Sequence, residues 1–73
     1  MDRNMILQHL AVAERHVMQG EVHLARQEAL IAELNRKERD VTQARDLLAT
    51  LRETQALHVQ HRDRILAELR RGR

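Results

Sequence analysis

Asn35-Arg36-Lys37-Glu38-Arg39-Asp40 (NRKERD, residues 35–40) is the longest run without an apolar side chain in a chain of 73 residues, and it lies near the middle. On either side of it the apolar residues keep a helical period. Toward the N-terminus Leu10, Val17, Leu24 and Ile31 recur every seven residues, and Ile6, Ala13, Gly20, Gln27 and Leu34 fill the complementary positions of the same stripe. Alternating steps of three and four hold one face of a 3.6-residue helix toward a partner. Toward the C-terminus Ala44, Leu48, Leu51, His58, Ile65 and Leu69 carry a second stripe, which Leu47 and Leu66 widen. Residues 35–40 are therefore a turn between two helices. The reading is one domain over 1–73, with a helix over about 4–35, a loop over about 36–40 and a helix over about 41–70.

Local chemistry supplies the ends. Asp2 or Asn4 can cap the first helix with a side-chain oxygen, and Asn35 is a residue tolerated in the left-handed conformation that stops one. Asp40 with Gln43 resembles a capping box for a second helix starting at about Val41, and Arg70, Arg71 and Gly72 suit its C-terminus. Two helices of similar length joined by a short polar loop lie antiparallel, so the fold class is all-α, an antiparallel two-helix hairpin. Centring the loop between 37 and 40 sets Leu34 by Ala44, Ile31 by Leu48, Gln27 by Leu51 and Gly20 by His58.

Composition agrees and removes other classes. Of 31 apolar residues 11 are Leu and 9 are Ala, against eight β-branched Val and Ile, a balance that favours helix over strand. Without Cys there is no disulfide framework and no thiolate metal site, which points to the cytoplasm. No apolar run reaches the roughly 18 residues needed to span a bilayer, and MDRNMILQHLAVAERH is too charged for a signal-peptide core, so a soluble, unprocessed protein without a membrane partner is expected.

A two-helix hairpin cannot enclose a core, and the first helix carries a further stripe. Ala11, Met18, Val22, Ala25, Ala29 and Ala32 follow the same spacing about 100° around the helix from the seam. Small residues there let another helix come close. The expectation is self-association through Met18, Val22, Ala25, Ala29 and Ala32, most simply as a homodimer closing into a four-helix bundle.

Five histidines invite a test for metal. His9, His16 and His23 share one face but are spaced by seven, about 10.5 Å apart along the axis, too far for one ion. Only His58 and His61 have a chelating spacing within a helix; His16 or His23 could approach them across the hairpin, and Glu21 or Asp63 could supply an oxygen. The first three read more simply as flanking positions on a solvated face and His58 as an interior residue, so no metal and no cofactor is expected. Thr54, Gln55, His58, His61 and Arg62 interrupt the second stripe, and Gln27, Gln55 and His58 are expected to form a polar layer that fixes register. Gly20, costly by about 1 kcal/mol in mid-helix, should admit a bulky group, with His58 the first candidate.

Catalysis has little to build on. The chain has no Ser and no Cys, and Thr42, Thr50 and Thr54 lack a nucleophile's signature. His58 with Glu21 could be written as acid and base, but a bundle of two thin hairpins filled with Leu and Ala offers no concavity of a few hundred Å³. The chain reads as not an enzyme. Its charge is divided, with residues 1–34 at −2 and residues 35–73 at +4. Glu14, Glu21 and Glu28 on the first helix face Arg45 and Arg52 on the second as flanking charges that favour the antiparallel alignment. The remaining basic residues, Arg36, Lys37 and Arg39 in the loop and Arg70, Arg71 and Arg73 in the tail, are the candidates for a nucleic-acid contact. They lie at opposite ends and have no aromatic residue to stack on a base. A small nucleic-acid-associated or regulatory factor is accordingly the alternative to an interaction or assembly module with a protein partner.

The pieces HLAVAERHV (9–17), GEVHLARQ (20–27) and ETQALHVQHRDR (53–64) resemble a group of short uncharacterised helical-hairpin proteins of alphaproteobacteria, over nearly the whole chain. The resemblance implies a bacterial cytosolic protein and carries no functional residues with it. NRKERD stands where that group tends to have Gly and Asp, so the turn must be read from its own residues.

Overall fold

The computed structural model describes residues 2–72. Two helices make up the fold, α1 over Arg3–Arg36 and α2 over Thr42–Arg71, packed on one another as a hairpin 55 × 14 × 13 Å in extent. Each boundary lies within about one residue of its sequence expectation. Asp2 caps α1, its carboxylate accepting from the Asn4 backbone N–H at 3.2 Å.

The turn is built differently from the expectation. Asn35 remains helical, and Glu38 is the residue with left-handed backbone, at φ 55°. The Arg39 N–H donates to the Leu34 carbonyl at 2.9 Å and the Glu38 N–H to the Asn35 carbonyl at 3.1 Å, which together make a Schellman motif with Glu38 where glycine is usual. α2 starts at Thr42 rather than Val41. The Asp40 carboxylate accepts from the Thr42 N–H at 3.0 Å and the Thr42 hydroxyl at 2.7 Å, so Asp40 holds the start of α2 from one residue before the N-cap, Val41, rather than as the N-cap of a capping box.

This geometry corrects the register. The chain reverses at Lys37–Glu38, at the start of the polar run rather than at its centre, so residues 39–41 already run back along the last turn of α1 and Val41 is half-buried. Opposed positions consequently slip by about one turn: Gly20 faces Gln55 rather than His58, and His58 lies against His16.

Both stripes are buried where the heptad placed them. Ile6, Ala13, Val17 and Gln27 of α1 and Leu48 and Ile65 of α2 are buried, and Leu10, Leu24, Ile31, Leu34, Ala44, Leu51, His58 and Leu69 are half-buried along the same seam. Leu66 widens it, whereas Leu47 is exposed. The tightest packing is far from the loop, where Ile6, Ala13 and Ile65 cluster with Leu10 and Leu69.

Candidate functional site

The middle of the seam is polar, and its geometry follows from two glutamines. Gln55 on α2 donates from Nε2 to the Val17 carbonyl of α1 at 2.8 Å, and Gln27 on α1 donates from Nε2 to the Ala44 carbonyl of α2 at 2.9 Å. Each helix thus sends one amide onto the other's backbone, using the second lone pair of a carbonyl. Gln27 is only 9% exposed, so its hydrogen bond offsets the desolvation of the amide. The expected single layer of Gln27, Gln55 and His58 is in fact two: Gln27 is bonded near the loop, while Gln55 and His58 occupy the centre. The register slip causes the separation.

Gly20 makes room for Gln55, which replaces His58 as the bulky neighbour. A Cβ at position 20 would overlap Gln55 Oε1 and approach Cδ to 2.6 Å. The same Oε1 is buried and has no hydrogen-bond partner among the described residues. It rests over the glycine Cα, a placement suited to a Cα–H···O contact.

Beside this pair, His16 and His58 bring their ring centroids to 5.4 Å with planes tilted by 46°. They line a cavity of about 80 Å³ together with Gln19, His23, Thr54 and Gln55. His16 is exposed, as a flanking position on a solvated face should be, and its ring still reaches the half-buried His58; sequence offers this as one of several cross-helix approaches, because register decides among them. Among the described residues no group of three or more His, Cys, Asp or Glu gathers as for a metal ion.

Near the loop an open groove of about 320 Å³ runs between the exposed side chains of Leu30 and Leu47, floored by Gln27, Leu34 and Ala44. Leu47 flanks the seam here instead of filling it.

The remaining candidates separate clearly. Met18, Val22, Ala25, Ala29 and Ala32 are all exposed, so α2 covers none of them. Arg36 and Lys37 both pair with Glu33, Lys37 at 3.3 Å, and among the described residues Arg39 is the loop cation outside an ion pair. Arg70 and Arg71 end α2 at the opposite tip, and Arg73 lies outside the described residues. No described ion pair joins Glu14, Glu21 or Glu28 to Arg45 or Arg52; those present are local, with Arg62–Asp63 at 3.1 Å the third. Among the described residues no helix is long and apolar enough to cross a membrane. Comparison with known proteins yields no match to a family model, a curated protein or a solved structure.

Proposed function

We propose that the chain is a noncatalytic, self-associating helical hairpin, an interaction or assembly module whose two copies close into a four-helix bundle in the cytoplasm. The supporting observation is surface area. The hairpin exposes 5848 Å², whereas a compact monomer of 8.6 kDa exposes about 4,700 Å². The excess, roughly 1,100 Å², exceeds the about 800 Å² that one partner contributes to a standard interface. Within the expected stripe Met18 is 64% and Val22 44% exposed, flanked by the exposed Ala25, Ala29 and Ala32 that let a second helix approach; Met5, Val12, Leu30, Leu47 and Leu57 are further exposed apolar residues outside it.

Sedimentation tests this reading. A dimer is expected at micromolar concentration, and Val22→Glu, which would place a charge in the contact, should shift the chain to monomer. A well-folded monomer for the unmodified protein at that concentration overturns it.

A further inference from the structure

We propose that His16 and His58 form a cross-helix two-imidazole site for a borderline divalent transition-metal ion such as Zn²⁺ or Cu²⁺. Three observations meet here. Imidazole nitrogens bind such ions at about 2.0–2.1 Å, which sets the centres of two rings on one tetrahedral ion roughly 5–6 Å apart; the His16 and His58 rings stand at 5.4 Å. The two rings come from different helices, so an ion held between them clamps α1 to α2 at mid-length. The adjoining cavity of about 80 Å³ has room for the ion and for water, whose share of liquid volume is about 30 Å³.

The donor set defines the ligand class. Neutral imidazoles suit Zn²⁺, Cu²⁺ and Ni²⁺ and disfavour Ca²⁺ and Mg²⁺, which take oxygen ligands. His23 lines the same cavity, but among the described residues no three His, Cys, Asp or Glu are grouped closely enough to hold an ion together, so water completes the coordination, affinity falls short of a four-ligand structural zinc site, and His23→Ala should keep the response. His9, one heptad from His16 and about 10.5 Å along the helix, stands outside the site and serves as a control. His16 is exposed, so its replacement leaves the packing of the seam in place.

Thermal melting of the full chain with and without Zn²⁺ at about pH 7.5 tests the site. Because the ion binds the folded hairpin, Zn²⁺ at about five times its dissociation constant should raise the midpoint by roughly 4–8 °C, and Cu²⁺ at the same concentration should raise it further. The rise should disappear in His16→Ala and in His58→Gln and persist in His9→Ala. Both ligands belong to one hairpin, so Val22→Glu should keep the rise even as a monomer, which separates this proposal from the dimer. No shift in the parent, an equal shift in His16→Ala, loss of the shift in Val22→Glu, or metal-driven association without stabilisation overturns it.

Discussion

At the scale of single residues, two positions carry backbone or packing tension that substitution can read. Glu38 holds φ 55° at the C′ position of α1, where a side chain meets a steric penalty of about 1–2 kcal/mol that glycine avoids. Part of that gain is lost to the greater freedom of glycine in the unfolded chain. Glu38→Gly should stabilise the hairpin by about 1 kcal/mol, measured by chemical denaturation, with unchanged helix content. Gly20 is the converse case, because its missing side chain admits Gln55. Alanine improves helix propensity by about 1 kcal/mol but forces the Gln55 amide outward and breaks its bond to Val17. Gly20→Ala should therefore fail to stabilise the parent, yet stabilise a Gln55→Ala background by about 1 kcal/mol; a double-mutant cycle should give a coupling of at least about 1 kcal/mol. Additive effects would remove Gln55 as the reason for the glycine.

At the scale of the elements, what matters is how each helix begins and what each sends across the seam. Asp40 is held below the usual carboxylate range by the Thr42 N–H and then by the Thr42 hydroxyl. A carboxyl with a lowered folded pKa binds fewer protons folded than unfolded, so its contribution is present above the unfolded value, near 3.8, and fades as pH falls through the lower folded value. Amide exchange at the start of α2 should accelerate relative to the rest of α2 over that acid window, and Asp40→Asn should lose this pH dependence. Across the seam, Gln27 matters through what it touches. Gln27→Ala should destabilise by about 1–2 kcal/mol, since both a hydrogen bond and packing are lost. Gln27→Leu should cost less or even stabilise, because the Ala44 carbonyl lies within α2 and keeps its place in the helical ladder. Equilibrium unfolding of the two variants under one set of conditions gives the comparison.

At the scale of the molecule, a hairpin 55 Å long has one dense cluster at its open end, one glutamine bridge at mid-length and one near the loop. Among the described residues the buried apolar ones are Ile6, Ala13, Val17, Leu48 and Ile65, few for a chain expected to fold alone. If a second copy supplies the missing burial, the melting midpoint should rise with protein concentration, as it does for any assembly in which folding and association are linked. Val22→Glu should abolish that dependence and lower the midpoint. A midpoint independent of concentration across two decades would mean that the seam is sufficient by itself.

The sequence alone determined the two helices, their antiparallel course and the identity of nearly every seam residue, because each follows from local quantities: the three-and-four period, the lapse of that period at 35–40, and capping groups within a residue or two of the ends. It also singled out Gly20, Gln27, Gln55 and His58 as places where the stripe turns unusual. Which of them meet was decided by tertiary structure. A heptad repeats every seven residues, so sliding one helix along the other by about a turn exchanges one set of seam partners for another and leaves the pattern intact. The choice rests on Glu38 accepting a left-handed backbone and reversing the chain early, a conformation that an L-residue adopts only when the surrounding hydrogen bonds hold it there. That one turn sets Gln55 on Gly20 and the His58 ring on His16.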